Sequence, residues 1–112
     1  MSISTSSHEI RITTIKVDGR LDAVRSVDLR TELAGAVNDG IVRIVVDLAD
    51  TEFVDSAGLA ALAKGMKDCR SQGGDLRIVT PVHEDATRVF ALTRFDQVFT
   101  MAESAQTLVD SW

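Results

Sequence analysis

Ser56 lies in the stretch FVDSAG, residues 53–58, where an apolar run gives way to a helix-forming segment. A hydroxyl at such a junction can attack a substrate, accept a phosphate or cap the helix. Attack from a strand-to-helix turn needs the pattern Gly-x-Ser-x-Gly, because both flanking positions must be small for the sharp elbow. Gly58 stands two residues after Ser56, but Val54 stands two before it. Nothing in the sequence orients His8, near the N-terminus, or His83, just after a later strand, as a base. A phosphate-cradling loop is richer in glycine and runs into a lysine. Here there is one glycine and no lysine directly after it, and Asp55 would repel a bound phosphate. With one cysteine, Cys69, and two histidines far apart, no metal-ligand cluster of familiar spacing exists. No catalytic residue, metal or cofactor is therefore expected.

Helix capping is the simplest use of Asp-Ser before a helix, since either side chain can accept a bond from the first-turn amides, worth ~1 kcal/mol. It leaves two capping residues in series unexplained. If Asp55 caps, Ser56 is free to point outward from the first turn. A phosphate there meets the positive end of the helix dipole and adds roughly −1.5 to −2 charges. Next to Asp55, and with Asp22 close by, it repels an acidic partner surface and clashes with one shaped for the bare hydroxyl. That is a switch that changes binding without remodelling the domain.

The elements that must position Ser56 are legible as an alternation of periods. Residues 9–17, EIRITTIKV, alternate like a strand, with a parity shift at Thr13-Thr14 that argues a bulge or tight turn. DGR at 18–20 ends it. From about Val24 to Asn38 the period is helical, with Leu29, Leu33, Ala36 and Val37 on one face, and Gly40 suits a left-handed stop. IVRIVVDL, 41–48, is the near-continuous apolar run of a strand buried on both faces. A helix is expected after Asp55 to about Ser71, ended by QGG at 72–74, then a strand over 76–80. A third helix carries Ala86, Val89, Phe90 and Thr93, a strand covers 97–101, and a last helix, N-capped by Ser104, carries Ala105, Leu108, Val109 and Trp112. This order means α/β, with parallel strands joined by right-handed crossovers. Partners of such sheets meet the loops beyond the strands' carboxyl ends, here residues 18–23 and 53–58.

Along the helix after Ser56, Leu59, Leu62, Met66 and Cys69 form a stripe read chiefly as core, while Ala57, Ala60, Ala61 and Ala63 leave a small, smooth surface on which a partner helix could pack. Cys69 reads as a small buried hydrophobe, His83 as solvated, Arg88 as one half of a surface pair, and Trp112 as a ring that ties down the final helix.

The chain has 112 residues, 45% hydrophobic, 26% charged and with one proline, which is the composition of one globular domain. Its formal charge of −5 disfavours nucleic acid and anionic membranes as partners. A basic protein patch is compatible. No apolar run approaches a membrane span, MSISTSSHEI is no signal peptide, and a lone cysteine suits a reducing cytoplasm. Residues 1–8 read as a frayed tail or weak edge strand.

FVDSAGLAAL, 53–62, resembles the signature of the STAS family, the anti-sigma-factor antagonists of bacteria. VDGRLDA at 17–23 resembles the family's strand-turn Gly-x-Leu-Asp element, and IVVDLADTEFVDSAGL its central strand and phosphoacceptor loop. LRIVTPVHEDATRVFALTRFDQVF resembles the strand, proline and Arg-Val-Phe helix that follow. The resemblance implies a single STAS-like α/β domain over residues 1–112, with a mixed four- to five-stranded sheet and about four helices. It implies a protein that is not an enzyme. The unphosphorylated form would hold an anti-sigma factor that is also a serine kinase and so release the sigma factor. The kinase would then phosphorylate Ser56, and a serine phosphatase would reset it. Asp22, Asp55, Ser56, Ala57, Gly58, Leu59 and Leu62 are the expected partner-binding residues, with Asp22 and Asp55 matching acidic positions of the family. Two positions depart from its pattern. Ala57 replaces a second serine found in many members, and Arg94 stands where glycine is frequent, so a positive φ there would strain it. The rival readings are a non-switching STAS adaptor in a transporter-associated or scaffold complex and a small hydrolase using Ser56.

Overall fold

The computed structural model describes residues 11–112, so the expected tail or edge strand at 1–8 lies outside the described residues. The elements run β1 (Ile12–Lys16), β2 (Gly19–Leu21), α1 (Ala23–Asn38), β3 (Arg43–Asp47), β4 (Thr51–Val54), α2 (Ser56–Ser71), β5 (Asp75–Val79), α3 (Glu84–Leu92), a 3₁₀ turn (Phe95–Gln97), β6 (Thr100–Ala102) and α4 (Ala105–Asp110). Four strands form one sheet in the order β1-β3-β5-β6, and β2 pairs with β4 in a separate two-stranded ladder. Every ladder among the described residues is parallel.

Burial on both faces explains the apolar run of β3. Ile44 and Val46 enter the main core under α1 and α2 with Leu29, Leu33, Leu62, Leu76 and Ile78. Val45 points to the opposite face, where Val79 and Leu108 of α4 cover it. The same two-sidedness accounts for the parity shift in β1. Ile12 packs against the α4 side and Ile15 against the main core. The strand itself is unbroken, each residue from Ile12 to Lys16 matching one from Arg43 to Asp47. The bulge expected at Thr13-Thr14 is absent, and the irregularity sits between Gly19 and Arg20 of β2.

Helix α1 buries Leu29 and Leu33 as its period requires, and Gly40, at φ 81, ends the turn after it. The strand expected over 97–101 is displaced: Phe95–Gln97 coil into a 3₁₀ turn and β6 begins at Thr100. Aromatic packing decides this. Phe99 is 95% buried and meets Phe90 and Phe95 edge-on, with centroids 6.2 and 5.8 Å apart, an arrangement aromatic rings favour. Ser104 caps α4 by accepting from the Thr107 amide. Trp112 packs beside Leu108, its ring 4.0 Å beneath the Arg77 guanidinium. Cys69 is fully buried, and burial pushes its thiol up to about 11. His83 is exposed, and Arg88 meets Glu84 in an exposed pair at 3.5 Å.

Arg94 adopts φ 62, the left-handed region, just after Thr93 ends α3. A side chain with a Cβ is strained there and glycine is not. Arg94→Gly is therefore expected to raise unfolding stability by roughly 0.5–1 kcal/mol, read as a higher urea midpoint at unchanged slope. Gly58→Ala is expected to do the reverse. A Cβ there would lie 2.6 Å from the Leu21 carbonyl oxygen and 2.8 Å from Leu21 Cγ. Backbone cannot yield cheaply, so a loss of about 1–3 kcal/mol is expected in the same titration.

Candidate partner-binding site

The site is built by the small ladder. Leu21 of β2 lies opposite Val54 of β4, both in the core, and the Asp55 amide donates to the Leu21 carbonyl at 3.3 Å. Both strands thus end at the same level, and each turns at once into a helix. The next residues, Asp22 and Asp55, are the two N-caps. Their backbones are near-identical, φ −104 and ψ −171 against φ −106 and ψ −175. Asp22 Oδ1 accepts from the Arg25 amide at 3.0 Å, and Asp55 Oδ1 from the Gly58 amide at 2.9 Å. Two helix N-termini therefore open side by side, each closed by a carboxylate.

The series Asp-Ser now has an explanation. Asp55 is the cap, so Ser56 is the first residue of α2 and is not needed to satisfy its amides. Ser56 is exposed, and among the described residues its hydroxyl takes part in no hydrogen bond. Asp22 is held below the usual carboxylate range, first by the bond from the Arg25 amide and in smaller part by the Arg20 charge. This cap thus contributes fully at neutral pH and fades as pH falls through the lowered value. Arg20 stands 4.0 Å from the Asp22 carboxylate and 4.1 Å above the centre of the Phe53 ring, so it forms a cationic rim on the outer side of the ladder.

The other expected contact residues divide by depth. Ala57 is half-buried, whereas Gly58, Leu59 and Leu62 are buried under the helix, with Leu59 5% and Leu62 0% exposed. These three shape the site from beneath. Helix α2 packs on the sheet and on α1, so its i, i+3, i+4 apolar face turns inward. Ala61 is buried as well, while Ala60 is exposed and Ala63 half-buried. The outward stripe is thus Ser56, Ala60, Lys64 and Lys67. Two further apolar residues flank the site: Val24 and Val27, in the first turns of α1, are 79% and 60% exposed. Their signal in the sequence is their place off the Leu29–Leu33 face.

His83 precedes α3 without a side-chain capping bond, and no hydrogen bond joins it to Ser56. Among the described residues no group of three or more His, Cys, Asp or Glu side chains could hold a metal ion, and no helix is long and apolar enough to cross a membrane.

The chain is similar to several known proteins. A protein of Bordetella bronchiseptica, BtrV, named as a candidate anti-sigma factor antagonist, is 28% identical over 105 residues, covering 87% of this chain and 90% of its own. The crystal structure of an anti-sigma factor antagonist from Mycobacterium paratuberculosis superposes with a TM-score of 0.79 at 24% identity, over 95% of this chain and 88% of that one. The anti-sigma factor antagonist SpoIIAA in its unphosphorylated form superposes at 0.71 and 16% identity, over 95% and 92%. At these identities the two structures establish the shared fold. The sequence profile of the STAS domain matches residues 5–108, so the chain belongs to the STAS domain family.

Proposed function

We propose that this chain is an anti-sigma factor antagonist whose binding is switched at Ser56. The observation that carries the reading is the division of labour at the start of α2: Asp55 does the capping, and an exposed hydroxyl with no hydrogen-bond partner among the described residues stands next to it. In the unmodified state the partner, an anti-sigma factor with serine-kinase activity, seats on the surface formed by Ser56, Ala57, Ala60 and the exposed valines of α1. Holding that factor frees the sigma factor. The kinase then transfers the γ-phosphoryl of its ATP to Ser56 Oγ. A bond forms between Oγ and phosphorus, the bond to the departing ADP breaks, and the hydroxyl proton is lost. A phosphatase restores the hydroxyl with water.

The electrostatics favour such a switch. Phosphate adds roughly −1.5 to −2 charges beside Asp55 and across the ladder from Asp22. The amides and dipole of α2 tolerate the new anion within the domain, so the change is felt by the partner. The chain's charge of −5 makes a protein partner more compatible than nucleic acid.

With the cognate kinase, Ser56→Ala is expected to bind as the unmodified protein does, and Ser56→Asp to lose about 100-fold or more, because like charges forced together cost several kcal/mol. Intact-mass measurement on protein from its own cells should show one phosphate, absent in Ser56→Ala. Equal binding by both variants, or an unmodified Ser56 through growth and stress, overturns the switch and leaves an adaptor. Esterase turnover abolished by Ser56→Ala would make the protein a hydrolase.

A further inference from the structure

Helix α2 is basic in an acidic chain. It carries Lys64, Lys67 and Arg70 against one acid, Asp68, while the whole protein is at −5. Arg70 is engaged at the far end, with its Nε 2.8 Å from Asp75 and its Nη2 donating to the Val98 carbonyl. Lys64 and Lys67 extend the line of exposed residues that begins at Ser56 and Ala60, at spacings of four, four and three, which keeps them on one side of the helix. Among the described residues Lys67 has no ion-pair partner. Lys64 has only Asp68, at 2.9 Å, with the lysine side chain 69% exposed. Such a pair contributes little and yields readily to another carboxylate.

Beside this line runs a groove of about 190 Å³ between α1 and α2. Arg30, Leu33 and Ala34 of α1 and Ala61, Lys64, Gly65 and Asp68 of α2 line it, so its lining holds two cations and one carboxylate, the latter already paired with Lys64. Arg30 is exposed and, among the described residues, has no ion-pair partner. Drug-sized ligands occupy roughly 300–1,000 Å³, so the groove is too small to enclose one. It suits the insertion of apolar side chains from a macromolecule lying across it, with its carboxylates met by Arg30 and Lys64 at the groove and by Lys67 on the exposed side of α2.

We propose that the α1–α2 groove is a second docking surface, and that its occupant is an acidic amphipathic helix of the protein partner. The inference rests on the reading of the Ser56 end of α2 as a partner-binding site, and it adds the chemistry of that partner. Lys64 lies eight residues beyond Ser56, roughly 12 Å at 1.5 Å per residue, so the helix seated at the groove and the part of the partner that meets Ser56 are separate segments. The switch at Ser56 and the charge recognition at Lys64 and Lys67 are then separate contributions to one interface.

The test is a titration of the ¹⁵N-labelled full chain with a synthetic acidic peptide helix, leucines on one face and glutamates flanking them, and with its lysine-for-glutamate counterpart. The acidic peptide is expected to shift the amides of Ala34, Ala61, Lys64 and Gly65, with an affinity that falls as salt rises. Lys64→Glu with Lys67→Glu should weaken it at least tenfold, Lys64→Arg with Lys67→Arg should retain it, and the lysine peptide should not bind. Shifts elsewhere, equal affinity for the charge-reversed variant, or the same shifts from decanoate but none from the acidic peptide overturn the proposal. Ser56→Asp should change the peptide's affinity by less than about twofold, since a charge at that distance is largely screened. A failure at the groove therefore leaves the Ser56 measurements standing, and a failure of the switch leaves this titration standing.

Discussion

The pairing of Leu21 with Val54 is the constraint on which the site depends. It brings two strand ends to the same level, and the Asp55 amide donating to the Leu21 carbonyl fixes the distance between the chains as they leave. Gly58 then lets α2 approach that carbonyl more closely than any residue with a Cβ could. Thr51 reinforces the arrangement, because its buried hydroxyl donates to the Val17 carbonyl at 2.6 Å and ties the two-stranded ladder to the end of β1. From these contacts follow the two parallel caps, and from the caps follows a serine with nothing structural left to do.

The core supports this arrangement from below. Gly65 allows Leu33 of α1 and Leu76 of β5 to close over α2, each within 3 Å of where a Cβ would stand. Burial of Gly58, Leu59, Leu62 and Cys69 fixes the rotation of the helix about its axis, and that rotation decides which residues face outward. The stripe Ser56, Ala60, Lys64, Lys67 is the complement of the buried face. Polar exposure on one side of α2 and hydrophobic packing on the other are thus one choice of register.

Much of this is legible in the sequence alone. Long apolar runs such as residues 41–48 and the helical periods of α1 and α2 announce themselves, because burial imposes a pattern over many residues. The order Asp55-Ser56 also carried its meaning, since a cap and a free hydroxyl need different positions. What escaped was short or long-range. Strands of three and four residues, β2 and β4, show no period of their own. Their pairing joins segments far apart in sequence, so the neighbourhood of Asp22 and Asp55 follows from topology and the family resemblance. The threonine parity shift misled because β1 has a covered face on each side, and two inward residues on opposite faces look like a bulge. Residues 97–101 misled because Phe99 is held by ring packing with Phe90 and Phe95, which a β-propensity argument does not see.

The bond from Thr51 to Val17 joins residues 34 positions apart, and the ladder beside it encloses α1 and β3 between its two strands. Closing so long a loop costs more chain entropy than a local turn does. A nascent or misfolded chain displays Ser56 without Asp22 beside it. The side-by-side placement of Asp22 and Ser56 is therefore a property of the folded domain alone, written into neither segment by itself.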